Sequence, residues 1–241
     1  MPYNYIVDHI PKNTPYNRRP AYPMTPEYIT IHNTGNPKSN AKGERGWLTN
    51  PSNKRTASYH IAIDEFDAVE CLPLNESSWN AGDGTYGKGN RKSISIEICE
   101  SGNYQKTLRN TIELCAKLLH ARNWGVDRMK RHYDWSSKVC PRLMYDNGKW
   151  TGWYWFVGEV QKELDSLKRK ANTNIKGDED KLELDDYKNG VLADSLETLN
   201  DKGWLYPKWA EKARKKELTV SELLWLNTVV LSRALNKKEE K

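Results

Sequence analysis

The sequence lacks any run of apolar residues that approaches the ~18 needed to cross a membrane. Its first residues also lack a basic segment followed by an apolar stretch, so we expect synthesis in the cytoplasm without a signal peptide and no membrane partner. The chain has only four cysteines and no CxxC pair, which does not favour structural disulfides in a reducing compartment. Each cysteine is therefore expected to be a free thiol or a metal ligand.

Positive charge is not concentrated in any one segment. The 241 residues carry a net charge of +6 and a pI of about 9.0, a balance that suits a polyanion such as nucleic acid, teichoic acid or anionic lipid. The charge is spread over both halves of the chain, so the sequence does not predict a nucleic-acid footprint. Nucleic-acid binding stays as a rival hypothesis because of the basic pI and the abundant Trp and Tyr, and steep salt dependence of DNA binding would support it.

Alternating apolar and polar residues predict strands at 28–32, 58–64 and 93–99. In the last of these the isoleucines share one face, and Glu97 shares the other with two serines. Helical periodicity follows from about 105 to 123 and again from about 152 to 170. Strands that alternate with helices predict an α/β domain with a mixed central sheet flanked by helices.

The stretch 171–180 is polar without a periodic apolar face, and its composition predicts a linker between domain 1–170 and domain 181–241. The second domain is predicted to be small and all-helical. One helix is expected to end at Lys202 before Gly203, and Pro207 suits the first turn of the next helix. Thr219 to Glu222 matches a capping box that opens a helix through about Leu235.

Three residues of the first domain could together bind a catalytic metal. Zinc hydrolases need three protein ligands and an open position for water, and His32, His132 and Cys140 are the right donor types. Spacing alone is a weak signal, because His32 lies far before His132 in the chain. On residue types alone, the alternative of surface histidines and a buried cysteine remains open.

Four local sequences, in this order and at this spacing, resemble the signature segments of the amidase-2 family. They are YITIHNTG at 28–35, SYHIAID at 58–64, SISIEIC at 93–99 and RHYDWSSKVCPR at 131–142. The family includes phage endolysins, bacterial autolysins, sporulation amidases and the related peptidoglycan recognition proteins. The resemblance covers roughly residues 1–165. It implies a zinc-dependent N-acetylmuramoyl-L-alanine amidase, a phage or prophage endolysin that acts on bacterial peptidoglycan after release from the host cytoplasm.

The same resemblance implies a role for each matching residue. His32, His132 and Cys140 would bind Zn²⁺, and Glu97, if nearby and ionised, would take the proton from the attacking water. Lys138 would stabilise the developing oxyanion, and its charge beside Cys140 would favour the thiolate.

Three further residues are candidates for contacting the substrate or supporting the site. Tyr59 resembles a tyrosine that some relatives place near the metal, with a packed core aromatic as an equal alternative. His60, its neighbour in the predicted strand, should point to the opposite face and is expected to be structural or to support the ligands from behind. Trp79 resembles a tryptophan of a substrate-cleft loop, although core packing is the favoured alternative.

Two other functions in the same family are weighed against the endolysin hypothesis. A non-catalytic peptidoglycan recognition protein can lack the cysteine ligand, whereas Cys140 and Glu97 are both present here. A bacterial autolysin or sporulation amidase remains an alternative. The C-terminal domain could bind secondary wall polymers or form a homo-oligomer, and Trp204, Trp209 and Trp225 could contact a ligand or fill its core.

Overall fold

The computed structural model describes residues 3–176 and 182–236. The chain divides into two compact units, Met1–Leu167 and Lys168–Lys241, which are treated separately below. Within the described ranges, no helix is both long and apolar enough to cross a membrane.

A six-stranded sheet organises the first unit. Its order is β1-β4-β3-β5-β2-β6, and only the neighbours β3 and β4 run antiparallel. The strands are β1 Asn4–Val7, β2 Tyr28–Asn33, β3 Ile61–Ile63, β4 Asp67–Glu70, β5 Ser93–Ile98 and β6 Met129–Arg131. Because β5, β2 and β6 are mutually parallel, their carboxyl ends lie at one edge of the sheet.

The described residues form eight α-helices, of which the last three lie in the second unit. They are α1 Ala41–Thr49, α2 Lys88–Lys92, α3 Tyr104–Ala121, α4 Tyr133–Ser136, α5 Thr151–Lys176, α6 Asp186–Asp201, α7 Lys208–Arg214 and α8 Val220–Asn236. The isoleucines of β2, β3 and β5 form one core cluster with the apolar faces of α3 and α5. A second cluster lies on the opposite face of the sheet and includes Ala41 and Leu48 of α1. The first unit is thus a sheet covered on both faces, as expected for a largely parallel sheet.

Successive side chains of β2 and β5 point to opposite faces of the sheet, so core residues and candidate site residues lie on different faces. Ile31 and Ile96 are fully buried in the cluster with α3 and α5, whereas their neighbours His32 and Glu97 have side chains on the other face. The strand register places His32 directly across from Glu97.

The predicted fold class is confirmed, but several elements differ, and helices α1, α2 and α4 were not predicted. The predicted strand 58–64 is reduced to Ile61–Ile63, because the backbone of Ser58 pairs with Trp79 in a loop instead of with a strand. Strands β1, β4 and β6 were not predicted from the sequence. Helix α5 continues through Lys176 and so occupies the first part of the predicted linker, because no proline or glycine interrupts 171–176. The rest of that linker, from residue 177, lies outside the described residues.

The second unit is all-helical, as predicted. Gly203 follows α6 with φ +71°, the left-handed conformation of a C′ glycine, and Pro207 caps α7. The capping box is present: the Glu222 N–H donates to Thr219 Oγ1 at 3.1 Å, and the Thr219 N–H donates to Glu222 Oε2 at 3.2 Å. The buried core residues are Ala193, Leu196, Leu205, Trp209, Ala210, Ala213, Leu218 and Leu226. Trp209 is therefore a core residue, whereas about half of the Trp225 side chain is exposed.

Candidate metal centre

The three predicted metal ligands meet at the carboxyl edge of the sheet. His32 is the penultimate residue of β2, and His132 follows β6, the parallel neighbour of β2. The loop after α4 then returns Cys140 to the same edge, where the Tyr133 N–H donates to the Cys140 backbone oxygen at 3.1 Å. Ser137 makes the turn in the left-handed conformation, with φ 60°. Residues far apart in the chain therefore converge because of strand order.

His32, His132 and Cys140 are all buried, and their ligand atoms lie within 4.8 Å of one another. The Cys140 Sγ is 3.8 Å from His32 Nδ1, and the centroids of the two imidazole rings are 4.7 Å apart. His32 Nε2 and His132 Nδ1 are buried and have no hydrogen-bond partner among the described residues. Buried polar atoms without partners are costly, and a bound cation would satisfy them.

The protonation states of these ligands also suit a metal. Burial lowers the pKa of His32 well below its ordinary value, and burial together with the nearby Lys138 lowers the pKa of His132 to about 4. Both imidazoles are therefore neutral near pH 7 and keep a free lone pair. Burial and Glu97 raise the pKa of Cys140 to about 12, against the opposing effect of Lys138. Its thiolate form needs a neighbouring cation, so the donor set fits a divalent metal ion.

Glu97 lies beside the three candidate ligands. Its Oε1 is 3.9 Å from His32 Nδ1, and the Asn80 Nδ2 lies 3.4 Å from the same oxygen. Burial, and next the negative charge of Glu44, raise the pKa of Glu97 to about 8. The expectation that Glu97 is ionised at neutral pH therefore depends on positive charge nearby, which a bound cation would supply.

A cleft opens above the candidate ligands, and four acidic or basic side chains besides the ligands line it: Glu44, Arg55, Glu97 and Lys138. It is lined by His32, Asn33, Thr34, Glu44, Trp47, Leu48, Asn53, Arg55, Ala57, Tyr59, Asn80, Glu97, His132, Lys138 and Cys140. The predicted candidates His60 and Trp79 do not line it. The remaining candidates from the sequence therefore share one cavity.

Tyr59 points into this cleft and is tied to Glu44. Its hydroxyl lies 2.8 Å from the Glu44 backbone oxygen and 3.0 Å from Glu44 Oε2. Burial, and then the charge of Glu44, raise the pKa of Tyr59 well above its ordinary value, so the phenol keeps its proton. Tyr59 is thus both a buried aromatic and a cleft residue.

His60 and Trp79 do not contribute to the lining of the cleft. The Ser95 N–H donates to His60 Nδ1 at 2.9 Å, so His60 Nε2 donates to the Glu76 backbone oxygen at 2.7 Å. Both ring nitrogens are used in joining β5 to the loop that carries Glu76. Trp79 is half-buried, and its indole nitrogen is buried without a hydrogen-bond partner in the part of the chain that is described.

Sequence reasoning missed several polar residues of the cleft, among them Glu44, Asn80 and Arg55. Glu44 is buried on α1. The sequence did hold a signal for the start of this helix, because Asn is a preferred N-cap residue and the Asn40 side chain accepts from the Gly43 N–H. Asn80 and Arg55 lie in loops, where only the folded chain brings them to Glu97 and the ligands.

Comparison with known proteins gives a consistent result. Residues 22–143 match a family model described as N-acetylmuramoyl-L-alanine amidase. Similar curated proteins include two Bacillus subtilis N-acetylmuramoyl-L-alanine amidases. CwlA is 36% identical over 70% of this chain and 61% of its own length, and XlyB is 38% identical over 70% and 54%. The matched part of the chain thus spans little more than half the length of these relatives.

Solved structures also resemble part of this chain. The catalytic domain of XlyA aligns with a TM-score of 0.59 and 40% identity, covering 65% of this chain and 99% of that chain. The structure of PlyL aligns with a TM-score of 0.57 and 32% identity, covering 68% and 99%.

Proposed function

The chain belongs to the N-acetylmuramoyl-L-alanine amidase family, and from this premise we propose that it is a zinc-dependent amidase of the endolysin type. It hydrolyses the amide bond between N-acetylmuramic acid and L-alanine in bacterial peptidoglycan, and its origin is a phage or prophage. The observation that carries this proposal is the buried group of His32, His132 and Cys140 at the base of an open cleft.

The donor set supports zinc as the metal. Two imidazoles and one thiolate are typical ligands of a catalytic zinc, which leaves a fourth position open to water or substrate. His32, His132 and Cys140 would hold the zinc ion, which would supply a bound water of pKa about 7 and a positive charge to polarise the scissile carbonyl. The neutral state of His32 and His132 leaves both imidazoles ready to bind it.

Glu97 is the general base of the proposed reaction. Its carboxylate lies beside His32 and accepts a hydrogen bond from the Asn80 amide, which orients the group toward the ligands. A base works best when its pKa is close to the working pH, and a bound cation would lower the raised pKa of Glu97 toward that range. Glu97 takes a proton from the attacking water and returns it to the leaving amine.

Lys138 supplies positive charge to the tetrahedral oxyanion. Its side chain is exposed at the cleft, and no carboxylate of the described residues pairs with it. An ammonium aimed at the oxyanion is worth about 3 kcal/mol of transition-state stabilisation, judged from the loss of one oxyanion donor.

Mass spectrometry of the fragments released from purified cell walls tests the proposal. We expect stem peptides with a free L-alanine amino terminus and glycan strands with an intact lactyl carboxylate. Cleavage within the glycan or within the peptide would contradict the assigned bond. Binding to walls without any release would favour a non-catalytic peptidoglycan recognition protein instead.

A further inference from the structure

Arg55 is a charged side chain of the cleft to which the proposed reaction assigns no role. Glu44 accepts the hydrogen bond of Tyr59, Glu97 is the base, and Lys138 faces the oxyanion. Arg55 is exposed, and within the described residues no carboxylate pairs with its guanidinium. An unpaired guanidinium in the wall of a substrate cleft is available to a ligand.

The backbone that carries Arg55 is fixed from below by a second arginine. Arg18 is 1% exposed, and its guanidinium donates to the backbone oxygens of three residues of this wall. The Nε donates to Arg55 at 3.0 Å, Nη2 donates to Asn53 at 2.7 Å, and Nη1 donates to Leu48. Arg18 has no carboxylate partner in the described part of the chain, so these carbonyls, together with the Tyr16 ring whose centre lies 5.3 Å from the guanidinium carbon, offset the cost of burying its charge.

Asn53 adds a second set of ties to the same wall. Its Oδ1 accepts from the Arg55 N–H at 3.0 Å, and its Nδ2 donates to the Trp47 backbone oxygen at 2.9 Å. Asn53 is itself only 1% exposed. The backbone on both sides of Arg55 is therefore held in one conformation, which reduces the ordering cost when its side chain binds a ligand.

The charged and neutral groups of peptidoglycan indicate which part of the substrate Arg55 binds. This step rests on the proposed amidase function. The glycan of peptidoglycan presents neutral hydroxyl and acetamido groups near the scissile bond, whereas the stem peptide presents carboxylates beyond L-alanine. A guanidinium forms paired hydrogen bonds with a carboxylate in a planar fork. We infer that Arg55 binds a stem-peptide carboxylate, and that Arg18 is the positioning residue that holds Arg55 at the cleft.

Two soluble substrates that differ by one group test the inference. They are N-acetylmuramoyl peptides whose second residue carries either an α-carboxylate or an α-carboxamide. For the unaltered protein we expect a KM roughly three- to tenfold lower for the carboxylate, the range of a partly exposed charge-assisted hydrogen bond. Arg55→Met should remove this preference by raising KM for the carboxylate alone, with kcat little changed for either substrate.

Lys54 offers a matched control beside Arg55. Its ammonium donates to the Pro51 backbone oxygen at 3.1 Å and lies 5.8 Å from the centre of the Tyr16 ring, and it does not line the cleft. Lys54→Met removes the same charge and should keep the preference. Arg55→Lys should restore part of it, because a lysine retains the charge but loses the planar fork.

Arg18→Lys tests the positioning role. A single ammonium cannot donate hydrogen bonds to three backbone oxygens in one plane, so Arg55 should be held less firmly at the cleft. The preference for the carboxylate should then fall, while kcat for the carboxamide is retained. Equal losses on both substrates would show that Arg18 is only structural, which overturns its positioning role.

Carboxylate preference that survives in Arg55→Met, or that is missing from an active unaltered protein, would overturn the inference about Arg55. A protein that cleaves neither peptide would instead refute the amidase function on which the inference rests.

Discussion

The Tyr59 hydroxyl and the Glu44 carboxylate lie 3.0 Å apart inside the cleft. Both residues are buried, and the phenol keeps its proton because its pKa is raised well above the ordinary value. Glu44 therefore accepts one hydrogen bond and still places negative charge next to Glu97. That charge is the second cause of the raised pKa of Glu97, after burial.

Glu44→Gln should move the pH dependence of the reaction. Removal of the negative charge lowers the pKa of Glu97, so the base stays ionised at a lower pH. The acid limb of the plot of kcat/KM against pH should then shift to lower pH. Glu163→Gln, on α5 and outside the cleft, removes the same charge as a control and should leave the limb in place. A shift to higher pH in Glu44→Gln would contradict the electrostatic coupling.

Glu97→Gln should retain the metal and the fold but lose turnover. The amide keeps the size of the side chain but cannot accept a proton, so kcat should fall roughly 10²-fold or more. Metal analysis and circular dichroism would accompany the rate measurement on cell-wall substrate. An unchanged rate would remove Glu97 from the role of base, and loss of the metal would make it a ligand or a structural support.

The purified protein should contain one zinc ion per chain, and chelation should abolish cell-wall lysis until zinc is restored. Cys140→Ser replaces a strong thiolate donor with a neutral hydroxyl, so both zinc content and activity should fall sharply. Cys115→Ser is a matched control, because Cys115 is a buried thiol in the core cluster with α3. Stoichiometric zinc with normal activity in Cys140→Ser would exclude Cys140 from the ligand set.

His60 should make the fold sensitive to acid. Burial lowers its pKa from an ordinary 6.5 to about 4, so the unfolded chain takes up a proton at a pH where the folded protein does not. The stabilisation is fully present above pH 6.5 and is lost as the pH falls through about 4, with a total of roughly 3 kcal/mol.

Urea unfolding at pH 7 and pH 4 would measure this contribution. His60→Gln should be less stable than the unaltered protein at pH 7, and its free energy of unfolding should change less between the two pH values. His120→Gln, at the partly exposed end of α3, should keep the full pH dependence. An identical pH dependence in His60→Gln would mean that other groups cause the acid sensitivity.

Where the alternating pattern is local, the sequence predicted which face of a strand each residue occupies. The alternation of β5 separated Glu97 from the isoleucines beside it, and the structure has the same division. Strand β6 was missed because Met129–Arg131 is three residues long and mostly polar, and its pairing with β2 is a long-range event.

The unforeseen part of the cleft depends on tertiary packing. Glu44 and Arg55 occupy a helix and a loop whose placement is set by contacts with distant residues. The Arg18 guanidinium donates to backbone oxygens of residues 30 to 37 positions away in the chain. No periodicity marks an arginine that will be buried against carbonyl oxygens, so composition alone assigns such a residue to the surface.

All of the proposed catalytic residues precede residue 141, and each lies in the first compact unit. One similar solved structure, described as a catalytic domain, is 99% covered by the alignment while it spans 65% of this chain. These observations support the hypothesis that residues 1–170, extended to the end of α5, form a self-sufficient hydrolase. Residues 181–241 would then govern where the enzyme acts or how it assembles.

Truncation after Lys176 should give a protein that binds zinc, unfolds cooperatively and cleaves soluble muropeptides at near the full rate. It should lyse intact cells more slowly if the helical unit supplies wall affinity, because a second contact raises the effective concentration of enzyme at the wall. The isolated piece 181–241 should either co-sediment with purified walls or elute from a sizing column as more than a monomer. The exposed Leu224 and Trp225 of α8 are available for either contact. An insoluble or metal-free truncation product would show that the helical unit belongs to the catalytic fold, because the first unit would then not fold or bind zinc on its own.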